Sequence, residues 1–178
     1  MKAKWTWALV GTVMLLAAGV TGGKVLATPA AGQMTTTLAN ATVGDLDLRG
    51  QALVTTVGSD GKPHPSGVWL AWIKTHGLSD LYVVDNKFAP GGTTGWHSHA
   101  GPSLIFVVNG TITNYMSDDP ACSPHVYGKG SSFVDAGGQD VHMLRNEGGE
   151  VAETIAVQFI PQGVPRRTDE PQPANCHV

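Results

Sequence analysis

The chain has 178 residues, a formal net charge of −3 and a charged fraction of only 14%. This charge excludes a strongly basic surface of the kind that binds nucleic acid, and no cluster of lysine and arginine indicates binding to anionic lipid. Glycine, at 23 residues, and proline, at 11, are both frequent. Many short runs separated by glycine and proline are typical of all-β proteins.

The first 27 residues have the composition of a secretory signal peptide. Lys2 and Lys4 precede a charge-free, mostly apolar stretch over residues 5–20, and residues 25–27 offer small or apolar groups at a cleavage site. The alternative is an uncleaved membrane anchor, but a full span needs about 20 apolar residues and residues 21–24 cut this one short. We therefore predict a secreted or extracytoplasmic protein with no stable membrane insertion after cleavage.

The next segments are expected to be strands separated by turns. Residues 28–40, rich in alanine and threonine, predict a flexible lead-in, and residues 41–48 a first strand. The apolar run 68–73, with Trp69 and Trp72, predicts a strand buried on both faces. Residues 81–88 predict another strand, which ends in the turn Ala89-Pro90-Gly91-Gly92.

The second half of the chain continues this pattern. Asn109-Gly110 lies between two β-type runs, and an Asn-Gly pair in that position is the strongest short hairpin signal. Further strands are expected at 126–127, 132–134, 141–144 and 151–160. At least eight short strands predict a closed barrel or jelly roll over residues 41–165, followed by a polar tail over residues 166–178.

The chain contains only two cysteines, Cys122 and Cys176. In an exported chain an even pair favours a disulfide, which would tie the tail to the barrel wall. Two unpaired thiols are the alternative.

Three histidines are the main candidates for chemistry. His97 and His99 are two residues apart in Gly91-Gly92-Thr93-Thr94-Gly95-Trp96-His97-Ser98-His99, so on an extended segment they point to the same face. His142, on a distant predicted strand, would complete a coordination shell, since neutral imidazole is the commonest protein metal ligand. The alternative is three unrelated histidines in the core and on the surface.

The residues around these histidines resemble two motifs of the cupin superfamily. In the first motif, Gly91 is followed by five residues and His97-Ser98-His99, and Gly110 closes the frame; Ser103 stands where the family has glutamate. In the second motif, Gly130 precedes Ala136-Gly137-Gly138, His142 and Asn146, with Ala136 in the proline position and one extra residue before His142.

The resemblance implies a double-stranded β-helix, a jelly-roll barrel with His97, His99 and His142 as ligands of a divalent metal ion. Zinc, copper, manganese and iron are all candidates. Three histidines without the glutamate leave a charge of +2 at the ion instead of +1, so anionic ligands are attracted more strongly. Ser103 either hydrogen-bonds to a metal-bound water or a substrate oxygen, or only packs at the barrel wall.

The remaining polar candidates have simpler interpretations. His64, His76, His125 and His177 are expected at the surface, Asn146 is expected to shape a turn, and core packing is favoured for Trp69 and Trp72. Asp135 and Asp140 are expected in turns, with a role beside the metal as the alternative. A homodimer is left open by the resemblance.

Two functions fit these observations. The first is a metal-dependent enzyme, similar to cupin dioxygenases, that acts on a small oxygen-rich molecule. The alternative is a non-catalytic module that binds a small molecule or a carbohydrate.

Overall fold

The computed structural model describes residues 26–178 and is all-β over that range, as the sequence predicts. Most of the predicted signal peptide, residues 1–25, lies outside the described residues. No helix long and apolar enough to cross a membrane occurs in residues 26–178. In chain order the strands are β1 (Ala31–Val43), β2 (Asp47–Val57), β3 (Pro63–Lys74), β4 (Ser79–Thr93), β5 (His97–Ser98), β6 (Ser103–Asn109), β7 (Thr111–Met116), β8 (His125–Gly128), β9 (Ser132–Asp135), β10 (His142–Arg145), β11 (Ala152–Pro161) and β12 (Thr168–Asp169).

Ten of these strands form one nearly closed, barrel-like sheet. One wall pairs β1 with β4, β4 with β11, β11 with β6 and β6 with β9, and the other links β12, β5, β10, β7 and β8. The long strand β4 joins the two walls, because its last residue, Thr93, pairs with Arg145 of β10. The jelly-roll prediction is therefore confirmed.

Strict alternation along the strands decides which side chains face the interior. In β11, Ala152, Thr154, Ala156, Gln158 and Ile160 are buried and the residues between them are only partly so. The same alternation buries Ser103 and Ile105 of β6. One end of the barrel is filled by an apolar cluster: Phe88, Ile105, Ile112, Phe133, Leu144, Ala152 and Ala156. The interior beside that cluster is lined by polar groups.

The predicted flexible lead-in over residues 28–40 is wrong for most of its length. Residues 31–43 form β1, which pairs with β4 from Ala31↔Thr93 to Val43↔Ser79. Thr28 is also held, because its amide donates to the carbonyl of Glu170. The segment looked flexible because an edge strand is stabilised mainly by backbone hydrogen bonds, so its side chains do not need to be apolar.

The prediction that residues 68–73 form a strand buried on both faces is also wrong. β2 and β3 pair only with each other in the described part of the chain, as a two-stranded hairpin outside the large sheet. Trp69 is 55% exposed and Trp72 is 62% exposed. An apolar run indicates that its side chains favour burial, but it does not indicate which element packs against them. A two-stranded hairpin cannot bury both of its own faces.

Asn109-Gly110 does not close a hairpin either. β6 pairs with β9 and β11, whereas β7 pairs with β8 and β10, so the chain crosses from one wall to the other at this point. Gly110 has φ 67°, and a side chain there would collide with Ala152. The Asn-Gly pair is therefore used for a left-handed backbone at a barrel corner.

The C-terminal tail lies against the barrel. Thr168–Asp169 is the short strand β12 on β5, and Pro171 forms a bridge with Ala27. Cys122 and Cys176 lie at disulfide distance, with 5.2 Å between their Cα atoms. Cys176 is fully buried against Trp96, Tyr115 and Met143, so the end of the tail seals a second small apolar cluster.

Candidate metal centre

The fold brings the three predicted histidines together inside the barrel. His97 begins β5, His142 begins β10, and the two are direct cross-strand partners. His99 follows two residues after His97, and all three side chains are buried. Their ring centroids are 4.3 to 5.7 Å apart, and one nitrogen from each ring lies within 4.8 Å of the others. The three rings could therefore hold a single metal ion.

Hydrogen bonds fix the same tautomer on each ring. The Nδ1 atoms of His97, His99 and His142 lie 3.0, 2.6 and 3.4 Å from backbone carbonyl oxygens. Because a carbonyl can only accept, each Nδ1 carries the hydrogen and donates it, which leaves each Nε2 with a free lone pair. The accepting carbonyls belong to Gly95, Arg166 and Asp140. This arrangement is typical of histidines that bind metal through the other nitrogen.

Gly95, whose carbonyl accepts the hydrogen bond from His97 Nδ1, lies directly against the N-terminal segment. Gly95 has φ 65°, and any side chain there would collide with the backbone at Thr28 and Pro29. The adjacent amide of Trp96 donates to the hydroxyl of Thr28. The glycine before Trp96 is therefore required because the N-terminal segment passes directly over it.

Burial keeps the three imidazoles neutral. Desolvation lowers the pKa of His97 well below its usual value, and the positive charge that His142 can carry lowers it further. Desolvation is also the largest cause of the lowered pKa values of His99 and His142. A metal ion binds only the neutral imidazole, so at pH 7 these rings can bind an ion without first losing a proton.

A cavity of about 150 Å³ opens in front of the histidines. Ser103 and Gln158 form part of its floor, and Gln33 and Thr35 of β1 form part of its rim. Ser103 lines the cavity, and its Oγ accepts a hydrogen bond from Gln158 Nε2 over 3.0 Å. The segment predicted as a flexible lead-in therefore contributes residues to the candidate site.

Two arginines at this cavity were missed in the sequence. Arg166 and Arg167, at the start of the predicted tail, both line it. Arg166 Nη1 donates to Gln158 Oε1 over 2.8 Å, and Arg167 Nη2 donates to the carbonyl of Thr94 over 2.6 Å. A polar segment after the last long strand is typical of a loose C-terminal tail. Only the Arg-Arg pair within it indicated that this segment could bring positive charge to a site.

The two arginines differ in their charge balance. Arg167 pairs with Asp169 at 2.6 Å, whereas no carboxylate in residues 26–178 forms an ion pair with Arg166. Arg166 is held instead by Gln158 and by the ring of Tyr82, 5.8 Å from its guanidinium carbon. Desolvation of its guanidinium by burial lowers the pKa of Arg166.

Asp135 lies beside the histidines and not on an exposed turn. It is 5% exposed, and its carboxylate oxygens lie 3.9 Å from His99 Nε2 and 3.9 Å from His142 Nδ1. Its position at the end of β9, directly opposite Ser103, could not be inferred without the strand register.

The other predicted positions lie where the sequence suggested. His64, His76, His125 and His177 are exposed. Asn146 is buried and shapes a turn, because its Nδ2 donates to the carbonyls of Phe88, Ala89 and Glu150.

Comparisons with known proteins find one family model and several solved structures that are similar to part of this chain. A family model described as a cupin domain matches residues 86–158, which include the three histidines. A cupin domain from Bordetella pertussis is 20% identical, with a TM-score of 0.39, over 44% of this chain and 80% of its own. A protein with a double-stranded beta-helix domain from Klebsiella pneumoniae is 17% identical, with a TM-score of 0.44, over 52% of this chain and 76% of its own.

An oxalate oxidase is 26% identical to this chain, with a TM-score of 0.42, over 50% of this chain. The match spans 45% of that enzyme, less than half of its length. The sequence matches no curated protein.

Proposed function

Because this chain belongs to the cupin superfamily, we propose that it is an exported protein that holds one divalent cation by His97, His99 and His142 and presents it to a small anionic ligand. The observation that carries the proposal is the shared tautomer of three buried rings, one nitrogen of each lying within 4.8 Å of the others. Each Nδ1 is committed to a backbone carbonyl, and each Nε2 is left with its lone pair. Packing of an apolar core would not by itself bring three such imidazole nitrogens together.

The donor set limits the choice of ion. Imidazole nitrogens suit zinc, copper and iron, and manganese is also a candidate. A protein that acquires its ion outside the cytoplasm is expected to hold copper or zinc, because these bind most tightly to such sites. When bound, the ion supplies Lewis acidity that polarises a ligand oxygen.

The cavity supports a small anion as the ligand. Its volume of about 150 Å³ is below the range of about 300 to 1,000 Å³ usual for drug-sized ligands. Arg166 presents a guanidinium without a carboxylate partner, and Arg167 lies beside it. A guanidinium can bind a carboxylate through two parallel N–H···O hydrogen bonds, one to each oxygen.

We propose an oxygenase-like or related oxidoreductase reaction as the activity, with a small carboxylate or other oxygen-rich acid as substrate. In this arrangement Arg166 binds the anion, and Gln158 and Ser103 orient its oxygens by hydrogen bonds. The buried histidines and the covering tail exclude bulk water from the reacting end of the ligand.

A non-catalytic binding module is the second candidate. It would use the same cavity to capture a small molecule or a carbohydrate without turnover. The cavity lining favours the anion over the sugar, because the described lining residues include no tryptophan, tyrosine or phenylalanine on which a sugar ring could stack.

Metal content of the protein isolated from its own export compartment is the first test. We expect close to one ion per chain, lost in His97→Ala and retained in His125→Ala, which removes an exposed histidine as a matched control. Oxygen uptake with a panel of small carboxylates then separates the enzyme from the binding module. Protein without metal, or metal retained in His97→Ala, contradicts the proposal.

Export itself rests on the N-terminal composition and on the two cysteines at disulfide distance, which suit an oxidising compartment. Cell fractionation with N-terminal sequencing of the mature protein tests it. A homodimer also stays a prediction, and light scattering of the purified protein decides it.

A further inference from the structure

Thr154 places an unpaired hydroxyl inside the barrel, at the end of the cavity away from Gln158. The residue is fully buried on β11, and its Oγ1 atom has no hydrogen-bond partner among the described residues. Its neighbours on the same face of the strand are Ala152 and Ala156, which belong to the apolar cluster. A buried hydroxyl without a partner destabilises a fold, and valine would fill nearly the same volume without that cost. Because Thr154 also lines the cavity, a bound ligand can supply the missing partner.

Two further polar side chains lie in register with Thr154 across the barrel wall. Its cross-strand partner on β4 is Asn86, and the partner of Asn86 on β1 is Thr35. Cross-strand partners share a face of the sheet, and these three residues, the polar row, all line the cavity. Asn86 Oδ1 accepts from Thr35 Oγ1 over 2.8 Å and from Gln33 Nε2 over 3.1 Å. Both contacts fall on the amide oxygen, so the hydrogens of Asn86 Nδ2 are left for another acceptor.

The polar row carries no charge. The charged residues next to it along the strands alternate to the other face of the sheet, where Lys87 pairs with Asp85 at 3.6 Å and with Glu153 at 3.5 Å. A second carboxylate of a ligand would therefore find no cation at this end of the cavity, and an ammonium group would find no carboxylate. The row is suited to a neutral hydroxyl, carbonyl or amide group.

The distance between the two ends of the cavity sets the length of a ligand that reaches both. Gln158, which accepts from Arg166 Nη1 over 2.8 Å, follows Thr154 on the same face of β11. At about 3.3 Å per residue, Thr154 and Gln158 lie about 13 Å apart along the strand. A hydrogen bond of about 3 Å at each end leaves about 7 Å between the two polar groups of the ligand. Midway between the ends, Ala156 and its cross-strand partner Ile105 give the cavity an apolar lining.

We propose that the ligand is a monocarboxylate with a neutral hydrogen-bonding group at its far end, and that Thr154 and Asn86 select that group. The inference rests on the proposed function, since the carboxylate is placed at Arg166 and the histidine centre. A terminal hydroxyl accepts from Asn86 Nδ2 and shares a hydrogen bond with Thr154 Oγ1. A terminal methyl group leaves both protein groups unpaired, so the cavity distinguishes the two ligands. An extended six-carbon hydroxy acid spans about the required distance.

Three acids of equal chain length test the assignment on the unaltered, Zn²⁺-loaded protein: hexanoate, ω-hydroxyhexanoate and adipate. In calorimetric titrations we expect ω-hydroxyhexanoate to bind about 10-fold more tightly than hexanoate, the effect of one good hydrogen bond. Adipate should bind more weakly than ω-hydroxyhexanoate, because its second carboxylate has no cation to pair with. A preference for the hydroxy acid below about 3-fold, or tighter binding of adipate, overturns the inference.

Thr154→Val then assigns the preference to the buried hydroxyl. The variant should bind hexanoate like the unaltered protein, lose the preference for ω-hydroxyhexanoate, and unfold at a denaturant concentration no lower than before, because no hydrogen bond within the chain is lost. Thr36→Val is the matched control and should keep the preference, since Thr36 is exposed opposite Asp85 on the outer face.

Two results with Thr154→Val overturn the inference. Unfolding at a lower denaturant concentration would show that the hydroxyl is paired within the folded chain, and a retained preference would show that the ligand does not contact it. Absence of binding by all three acids would refute the small carboxylate of the proposed function and the inference with it, whereas binding without preference refutes the inference alone.

Discussion

Replacement of Arg166 by glutamine is expected to weaken binding of small carboxylates selectively. The guanidinium is half-buried, is held at 2.8 Å by Gln158 Oε1 and has no carboxylate partner in the described chain. Glutamine keeps the backbone carbonyl that accepts from His99 Nδ1, so the histidine centre should be unaffected by the change.

The magnitude follows from the kind of contact that is lost. A hydrogen bond to a charged group contributes about 1.5 to 3 kcal/mol, which corresponds to about a 10- to 150-fold change in Kd. The lower end applies if the ligand stays partly hydrated at the cavity mouth. Because Arg167 is already paired with Asp169, we do not expect it to replace the missing charge.

Isothermal titration of acetate and oxalate into Zn²⁺-loaded protein measures this effect. Arg49→Gln is the control, because Arg49 is exposed on the β2–β3 hairpin, away from the cavity. Carboxylate affinity within twofold of the unaltered protein would refute the role of Arg166, provided that the Zn²⁺ content of the variant is normal.

Four further outcomes follow from the structure. Burial lowers the pKa values of the three site histidines, so below about pH 6.5 the unfolded chain takes up protons that the folded chain does not. The free energy of unfolding of the metal-free protein should therefore decrease as the pH is lowered below this value. Urea titrations that show no dependence on pH would contradict the burial argument. Replacement of residues 44–78 by an Asn-Gly turn should preserve Zn²⁺ binding, since Val43 and Ser79 are direct strand partners; a loss of binding would show that the hairpin supports the barrel. Asn146→Ala should lower the free energy of unfolding by about 2 kcal/mol, because the two N–H groups of its amide, shared by three carbonyls, are lost. A loss below about 1 kcal/mol in chemical denaturation would show that water replaces the amide. Cys176→Ser should lower the free energy of unfolding by about 4 kcal/mol, because the bond to Cys122 is lost. Thiol titration of the unaltered protein, unfolded without a reductant, should find no free thiol.

The β-structure was predictable because its signals are local. Alternation over residues 151–160 matches β11 closely, and the two-residue spacing of His97 and His99 placed both rings on one side. Conversely, the hairpin and residues 28–40 were misjudged because composition reports the chemistry of a segment and not its partner. Trp69 is apolar yet exposed, and Thr35 is polar yet lines the cavity.

By itself the sequence determined the class of fold, because alternation along a strand is a short-range signal, and it identified His97, His99 and His142, because they stand in two recognisable motifs. Only the tertiary structure decided what surrounds them. Asp135 and Arg166 come from β9 and from the tail, and they meet the histidines through strand register and chain return, which bring together residues with no pattern in common along the chain.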